Sequence, residues 1–526
     1  MLFNSLQFAV FFVVVAVAYW TIRSQRLRQL LLLGASYFFY GLFDWRFLGL
    51  LVLSTAIDFT AARLIQRSGD PGARKTVMVA AVSANLGILG VFKYFDFFVS
   101  SAADLLGSLG WNVSPPLLEI AVPVGLSFYT FQSMSYTIDV YRGKITAEED
   151  PIVFATYVAF FPQLAAGPIE RAGDLVPQLR SLPERIDPKA VRVGLELVLL
   201  GLFRKVALAD VMAPVVRDAL RPQDAFGRPV EASWILSWVG VFAFMVQLYG
   251  DFAGYSTIAR GLAKILGIDI SRNFRRPLWS RSQQEFWQRW HVTLMNWFRD
   301  YVYYPLWRRR YRRLRLRGVA RMRFALMVTF TLSGLWHGAS WALVLWGSAA
   351  GGLLVLDHSL RRGRRRAAAT SVGDQGEIEV GAGAVREGAP PAGDEPSPTA
   401  VGERGAATLP NRILEAGRVA VTIIPLAVLT VLLPLRSVSD AVDVWTSIIT
   451  FGSGAVDGAA LLAVLWGLAG LVVGDRHEIA VEALEEGRAV GDSTASFLWG
   501  LRVGMMVCAL LVFSGGAGEP YFYFQF

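Results

Sequence analysis

The chain alternates between long apolar runs and short polar connections rich in arginine. Residues 2–22, 77–99, 232–248 and 419–435 each reach or approach the roughly 20 apolar residues that an α-helix needs to cross a bilayer. This pattern predicts an all-α polytopic membrane protein with about 10–12 transmembrane and re-entrant helices. We expect these elements to begin near Leu2, Gln29, Phe47, Val77, Leu117, Val191, Ala232, Phe324, Trp341, Val419, Ala459 and Phe497.

Composition and charge agree with a membrane location. The chain is 54% hydrophobic and 18% charged, with a mean hydropathy of +0.43, whereas soluble domains average about 25% charged residues. The net charge of +9 comes from basic clusters between the apolar runs, so we expect no nucleic-acid partner. Because Lys and Arg collect in cytoplasmic loops, residues 23–28, 63–75, 308–323 and 361–366 are predicted to be cytoplasmic and the N-terminus extracytoplasmic.

One internal segment differs from the rest of the chain. Residues 361–409 contain mainly Gly, Ala, Pro, Glu, Asp and Arg, with hardly a large apolar side chain, a composition typical of disorder. We therefore predict three regions. Residues 1–360 form a transmembrane core that holds both candidate catalytic histidines, residues 361–409 form a disordered cytoplasmic loop, and residues 410–526 add helices that complete the core.

His337 lies within the motif Gly334-Leu-Trp-His-Gly-Ala339, in the middle of an apolar run. An ionisable ring is costly in hydrocarbon, so such residues face a polar cavity and are functional candidates by default. His337 is therefore the first candidate for chemistry.

A second candidate region, residues 249–306, is dense in both aromatic and ionisable side chains. If residues 282–303 are helical, Glu285 and Arg289 form an i, i+4 pair and His291 points inward with an aromatic stripe. That stripe consists of Trp287, His291, Leu294 and Phe298.

The other ionisable candidates are weaker. His358 adjoins a basic run and His477 is predicted to lie in a charged loop, so we interpret both as incidental. The only cysteine, Cys508, lies in an apolar run, which argues against a disulfide or a cysteine nucleophile.

Two intramembrane histidines, without a G-x-S-x-G nucleophile elbow, favour direct acyl transfer assisted by a general base. An imidazole with an ordinary pKa near 6.5 can take the proton of an attacking alcohol, typically a gain of about 10² to 10⁴ in rate. We predict that His337 is this base. Without a dense carboxylate or cysteine cluster nearby, a metal site is the less favoured interpretation of the two histidines.

Several motifs follow one another along nearly the whole chain. They are Val122-Pro-Val-Gly-Leu-Ser-Phe-Tyr-Thr-Phe131, Asp139-Val-Tyr-Arg142, Phe161-Pro-Gln-Leu-Ala-Ala-Gly-Pro168, Arg204-Lys205 before Ala209-Asp210, Tyr249-Gly-Asp-Phe-Ala-Gly-Tyr-Ser256, Glu285-Phe-Trp-Gln-Arg-Trp-His291, Arg299-Asp-Tyr301 with Tyr304-Pro305, Gly334-Leu-Trp-His-Gly-Ala339 and Tyr523-Phe-Gln-Phe526. In this order they resemble the membrane-bound O-acyltransferase (MBOAT) superfamily, in particular its bacterial branch with the alginate O-acetylation membrane protein.

The resemblance implies a ring of transmembrane helices around a thinned centre with a central funnel. Through this funnel an acyl group from a cytoplasmic thioester, acetyl-CoA or an acyl carrier, would reach an acceptor outside, with no tightly bound cofactor. His337 matches the family's catalytic histidine, and His291 matches its second functional histidine.

We therefore predict an O-acyltransferase of the bacterial inner membrane, in contact with membrane lipid. It would move a short acyl group, acetyl being favoured, to a hydroxyl of an extracytoplasmic polysaccharide, directly or through a secreted SGNH-hydrolase-like partner. His291 would orient or polarise the thioester carbonyl or the acceptor. The residues predicted to support the funnel are Asp251, Glu285, Arg289, Trp336, Asp300, Gln163 and Trp290.

Two alternatives remain open at this point. The chain could be a transporter or channel whose histidines relay protons, or an O-acyltransferase that acts on a protein or lipid acceptor. The nine arginines within residues 308–323 also admit two functions. They could anchor a loop on anionic lipid, or attract the phosphates of coenzyme A or an acidic carrier protein.

Overall fold

The computed structural model describes residues 1–111, 113–118, 120, 122–164, 167–221, 233–309, 318–373, 409–451, 458–488 and 493–514. Within these ranges the secondary structure is helical, with turns and loops between the helices and no strand. The predicted all-α class is therefore confirmed. The motif at Tyr523–Phe526 lies outside the described residues, as do the arginines at positions 310–317.

The described helices vary widely in length. In chain order they are α1 (Leu6–Thr21), α2 (Gln25–Arg67), α3 (Pro71–Leu89), α4 (Phe95–Ser108), α5 (Leu126–Tyr141), α6 (Pro151–Ala159), α7 (Phe161–Leu164), α8 (Ala172–Arg180), α9 (Pro188–Leu202), α10 (Asp210–Leu220), α11 (Trp234–Ile265), α12 (Gln283–Arg289), α13 (Val292–Phe298), α14 (Tyr304–Arg308), α15 (Gly318–His337), α16 (Trp341–Gly373), α17 (Leu409–Thr430), α18 (Leu432–Leu435), α19 (Val438–Thr450), α20 (Gly458–Glu485) and α21 (Ser493–Phe513). Three π-helical segments, Gly90–Tyr94, Phe203–Ala209 and Arg299–Tyr303, connect successive α-helices, and a 3₁₀ turn covers Pro277–Trp279.

Seven of the described helical segments are long and apolar enough to cross a membrane. They are Gln25–Arg67, Pro71–Ser108, Trp234–Ile265, Trp341–Gly363, Ile413–Leu435, Gly458–Glu485 and Ser496–Phe513. Two shorter apolar helical segments, Leu6–Thr21 and Pro151–Leu164, accompany them. The chain is therefore a multi-pass membrane protein that combines long spans with shorter and broken helices.

One predicted starting point for a helix is wrong, whereas two others agree with the structure. The elements expected near Gln29 and Phe47 are the two halves of α2, which are separated by a kink at Asp44, where φ is −164° and ψ is 114°. The element expected near Leu117 begins only at Leu126. Prolines at positions 115, 116 and 123 explain the delay, because proline lacks the N–H that a helix interior needs.

The predicted disordered loop is also shorter than expected where the structure describes it. Residues 361–373 continue α16 to Gly373. Most of these residues are arginine and alanine, which rank among the best helix formers, so the preceding helix extends through them. Residues 374–408, the remainder of the predicted loop except Leu409, lie outside the described residues.

The centre of the protein is formed by α11 and by α5, both of which are largely buried. Glycines let α9 approach α11 closely, since a Cβ placed on Gly201 would lie 2.7 Å from the carbonyl oxygen of Gly254. At the periphery, by contrast, Leu6 on α1 and Leu511 on α21 are strongly exposed. The apolar outer surface suits lipid, and the buried centre is where candidate chemistry must be sought.

Candidate active site

The helix predicted over residues 282–303 is broken at His291. Helix α12 ends at Arg289 and α13 begins at Val292, while His291 adopts a left-handed conformation with φ 45° and ψ 51°. Histidine tolerates this region better than most side chains, although a left-handed non-glycine residue still costs about 1–3 kcal/mol. The prediction of one continuous helix is therefore wrong, and the break itself aims the imidazole into the protein.

Asn273 fixes both the break and the ring. Its backbone carbonyl accepts a hydrogen bond from the Val292 N–H at 2.8 Å. Its side-chain Oδ1 lies 3.0 Å from His291 Nδ1 and accepts from the Thr293 backbone N–H at 3.3 Å. A backbone N–H can donate only to the oxygen of the amide, so His291 Nδ1 must carry the proton in this contact. The neutral ring then has its lone pair on Nε2.

Aromatic side chains surround His291, which is 1% exposed. The ring of Phe252 packs edge-on at 4.6 Å between centroids, and Phe128 and Phe274 stack at 6.3 and 6.2 Å. Trp336 lies edge-on at 6.1 Å. These contacts confirm that His291 points inward, and they exclude bulk water from its surroundings.

His337 is the last residue of α15. Its ring lies 4.9 Å from that of Trp336 and 5.2 Å from that of Trp346, so Trp336 contacts both histidines. Helix α16, which carries Trp346, packs closely on α15 because a Cβ on Gly334 would overlap the carbonyl oxygen of Leu343. The Gly334 motif thus serves to bring α16 against the end of the helix that carries His337.

A cavity of about 30 Å³ borders His337. Apart from His337 and Thr430, its lining is apolar and aromatic. The lining residues are Met245, Leu248, Phe252, Phe286, Trp287, Trp290, His337, Trp346, Leu426, Thr430 and Leu433. The cavity therefore places an ionisable ring at the edge of a small dry space.

The two predicted tryptophans lie at this centre. Trp336 separates the two histidines. Trp290 lines the cavity and stacks on Phe286 with ring centroids 5.5 Å apart.

Asp251 lies elsewhere, in a buried ion pair. Its Oδ1 accepts from Lys205 Nζ at 2.7 Å, and the same ammonium lies 2.8 Å from Asp210 Oδ1. All three side chains are largely buried. The structure thus gives Asp251 a charge partner on another helical segment and does not place it in the cavity lining.

The remaining polar residues predicted to support the funnel also lie away from the cavity lining. Glu285 and Arg289 form the predicted i, i+4 pair at 2.6 Å, on a partly exposed face of α12. Asp300 pairs with Arg171 at 3.0 Å. Gln163 is buried, and its side-chain amide donates to the Tyr157 carbonyl at 3.0 Å.

Glu170 is a buried carboxyl group that the sequence did not single out. Its Oε1 accepts from the Ser271 N–H at 2.6 Å and its Oε2 from the Ser271 hydroxyl at 2.9 Å, two residues before Asn273. Burial raises the pKa of Glu170 to about 7, and the hydrogen bonds from Ser271 oppose this shift. Glu170 thereby ties residues 168–171 to the loop that holds His291.

His477 is not in a charged loop, contrary to the prediction. It is fully buried within α20, with Nε2 3.1 Å from Glu196 Oε2 on α9. The neighbouring Asp475 and Glu478 make the sequence look like a surface loop, but they face buried arginine partners. His358 lies on α16, next to the basic run, as expected.

Sequence reasoning missed Asn273, Trp346 and Lys93 at this site. The Lys93 ammonium donates to the carbonyl oxygen of Trp336 at 2.6 Å. A lysine inside an apolar run is a detectable signal for a functional residue. Asn273 carried no such signal, because only the folded chain brings it to His291.

These features define a polytopic α-helical membrane protein with two inward-facing imidazoles, joined by a shared tryptophan, and an apolar cavity beside one of them. Residues 149–377 match the MBOAT, membrane-bound O-acyltransferase family. The chain is 36% identical to the probable alginate O-acetylase AlgI of Azotobacter vinelandii over 365 residues, 69% of each protein. The chain belongs to the membrane-bound O-acyltransferase family.

More distant relatives have related activities in their names. The peptidoglycan O-acetyltransferase of Helicobacter pylori is 29% identical over 363 residues, 64% of this chain and 66% of that protein. The teichoic acid D-alanyltransferase of Streptococcus thermophilus is 29% identical over 248 residues, 45% of this chain and 58% of that protein. The predicted family and the predicted enzyme class, an O-acyltransferase, are therefore confirmed, and the transporter hypothesis loses its support.

Proposed function

We propose that this enzyme transfers an acetyl group from a cytoplasmic thioester, acetyl-CoA or an acyl carrier, to a hydroxyl of an extracytoplasmic polysaccharide. The observation that carries the proposal is His337 at the edge of the 30 Å³ cavity. The thioester is a co-substrate, and no tightly bound cofactor is part of the proposal.

The size of the cavity supports a short acyl group. A cavity of roughly 150 Å³ accommodates benzene, which has six heavy atoms. The space beside His337 is about one fifth of that volume. On that scale it has room for about one heavy atom, such as the methyl carbon of an acetyl group, whereas a longer chain would have to displace the tight packing of Trp287, Trp346 and Leu433.

The direction of α15 supports an acceptor outside the cell. This helix has 20 residues and is about 30 Å long. It begins beside the predicted cytoplasmic arginines and ends at His337. An acceptor would then approach His337 from the extracytoplasmic side, and the donor from the cytoplasm.

The chemical step needs one base. An imidazole nitrogen of His337 takes the proton of the acceptor hydroxyl as that oxygen attacks the thioester carbonyl. The C–O bond forms, the C–S bond breaks, and the His337 imidazolium returns the proton to the leaving thiolate, which becomes the free thiol. Because His291 Nδ1 donates to Asn273, its Nε2 can accept a hydrogen bond. His291 is thus suited to bind a neighbouring hydroxyl of the acceptor sugar, which leaves the proton of the reacting hydroxyl to His337, and it is not suited to polarise the carbonyl.

The names of the relatives support the acceptor class. Alginate and peptidoglycan are both polysaccharides, and they appear in the names of relatives that match over about two thirds of this chain. We also propose that the enzyme lies in the bacterial inner membrane. A secreted SGNH-hydrolase-like transferase would complete the transfer. A protein or lipid acceptor is the alternative that the acceptor assay must address.

The first experiment measures acyl transfer by purified protein in lipid nanodiscs, with labelled acetyl-CoA and cell-envelope glycans. His337→Ala should lose at least about a hundredfold in rate, whereas His358→Ala, a matched histidine outside the site, should keep the wild-type rate. Mass spectrometry of glycans from a deletion strain should show the loss of an ester-linked acetyl group. An unchanged rate in His337→Ala, or ester loss from protein or lipid alone, would overturn the proposal.

A second experiment tests acyl length. Wild-type enzyme should use acetyl-CoA far better than butyryl-CoA. Leu433→Ala enlarges the cavity and should raise the ratio of butyryl to acetyl transfer at least about tenfold, since burying two further methylenes becomes favourable. A ratio that does not move would show that this cavity does not hold the acyl group.

A further inference from the structure

Lys93 is a cation within the candidate span Pro71–Ser108. It lies in the π-helical segment Gly90–Tyr94, which connects α3 to α4. A charged side chain at membrane depth is costly, and π-helical turns inside longer helices are frequent at functional sites. Both features indicate that another group of the protein stabilises the charge of Lys93.

That partner is the C-terminal end of α15. The Lys93 ammonium donates to the carbonyl oxygen of Trp336 at 2.6 Å and to the Ser127 hydroxyl at 3.3 Å. The adjacent Tyr94 hydroxyl donates to the carbonyl oxygen of Leu335 at 3.2 Å. The last carbonyls of a helix have no partner within the helix and carry partial negative charge, so a cation is favourable there.

The residue held in this way is next to the proposed base. Trp336 precedes His337, and the Lys93 ammonium also lies 5.7 Å from the centre of the Trp336 ring. Nothing in the sequence beyond His337 continues α15, because Gly338 follows and α16 begins at Trp341. The position of the imidazole therefore depends on how the final turn of α15 is fixed.

We propose that Lys93 is a positioning residue for acyl transfer, and that its ammonium, bound to the Trp336 carbonyl, holds His337 against the cavity. The inference rests on the proposed function of His337. Lys93 acts through α15 and does not itself touch the substrate. A hydrogen bond from a charged donor is stronger than one from a neutral donor, so Lys93 fixes the last turn more firmly than Tyr94 does.

The test compares kcat and KM for acetyl-CoA in Lys93→Met, Lys93→Arg and Tyr94→Phe. Lys93→Met should lower kcat by about thirty- to hundredfold while KM stays within about threefold, because the donor site is intact and only the base is displaced. Lys93→Arg keeps the charge and should recover at least about tenfold of this loss. Tyr94→Phe is the matched control, since it removes the neighbouring bond without a charge, and its kcat should stay within about threefold.

If Lys93→Met does not yield folded protein, Lys93→Gln replaces it as a neutral donor of similar reach. A kcat within threefold of wild type in folded Lys93→Met or Lys93→Gln would overturn the inference. Equal losses in the Lys93 variants and Tyr94→Phe, without recovery in Lys93→Arg, would overturn it too, because Lys93 would then be only a helix cap. A fully active His337→Ala would refute the proposed function itself, whereas an inactive His337→Ala with an active Lys93→Met would refute only the role of Lys93.

Discussion

Two regions of this protein bury ionisable side chains inside the helical body, but the groups that surround these side chains differ in kind. Arg204 is 1% exposed and donates to Asp475 Oδ1 and Glu478 Oε2, both at 2.9 Å. Tyr249 and Trp279 also donate to Asp475, at 3.2 and 2.8 Å. In this ion-pair core, opposite charges from α20 and from the π-helical segment Phe203–Ala209 meet directly.

The region around His291 and His337 is built differently. Aromatic rings enclose the two imidazoles, and the nearby polar contacts come from an amide and from backbone carbonyls. A cavity borders one imidazole. A buried charge in a membrane protein therefore does not by itself identify an active site. Paired charges on separate helices stabilise the fold, whereas an ionisable ring beside a cavity can meet a substrate.

The most severe way to test this comparison is Arg204→Met. Removing Arg204 leaves the charge of Asp475 uncompensated, although Glu478 keeps Arg272 at 2.8 Å, and a loss of about 3–5 kcal/mol in stability is expected. We expect a large drop in the fraction of protein that stays monodisperse on heating. Arg217→Met, at a side chain that is 66% exposed, is the control and should behave like wild type. A stable Arg204→Met that cannot transfer acyl groups would contradict a purely structural role for this ion-pair core, because Arg204 would then belong to the active site.

Asn273→Ala tests the surroundings of His291. It removes the acceptor for His291 Nδ1, so the ring loses its orientation and its tautomer is no longer fixed. We expect acyl transfer to fall by about thirtyfold, roughly 2 kcal/mol in barrier height. Ser256→Ala is a matched control, since it removes the acceptor of the Asn273 side-chain N–H but leaves the His291 contact, and it should cost no more than about threefold. Wild-type activity in Asn273→Ala would show that the orientation of the His291 ring does not contribute to acyl transfer.

The pH dependence of protein stability tests the environment of Glu170, next to the loop that holds His291. The pKa of Glu170 is raised by burial from 4.5 to about 7 in the folded protein, so the native state holds a proton that the unfolded state has already lost. The stability that this proton provides is complete below pH 4.5 and is lost as pH rises through about 7. Between pH 5.5 and pH 8 this amounts to about 2 kcal/mol.

Glu170→Gln should lack this component. Thermal unfolding at pH 5.5 and pH 8 should therefore show a smaller loss in the variant than in wild type. Equal losses in the two proteins would mean that the carboxyl group is already ionised in the fold.

Asp251→Asn should have the smallest effect. Lys205 keeps Asp210 as a charge partner at 2.8 Å, so the ammonium is not left alone. We expect acyl transfer per folded protein to stay within about threefold of wild type, with a modest loss of stability. A loss greater than thirtyfold in well-folded protein would return Asp251 to the active site, where its sequence motif had suggested a role.

The sequence was sufficient for the class of fold and for the residues most open to chemistry. Apolar runs of spanning length and basic loops require helices in a bilayer whatever the tertiary arrangement, because backbone polar groups must be satisfied inside each segment. The position of His337 within such a run identified it as a candidate before any contact was known. The periodicity of residues 282–303 also predicted that His291 faces inward, although it missed the break.

Only the tertiary structure decided which polar residues share the site. Asp251 and His291 both looked like buried functional groups, but one meets Lys205 and the other meets Asn273. Such pairings join residues on different elements, and local sequence pattern contains no information about them. The same holds for Lys93, whose carbonyl partner at Trp336 lies on another helix, and for the cavity, whose walls come from six separate helices. Packing across helices, not the pattern along any one of them, places His337 next to this cavity.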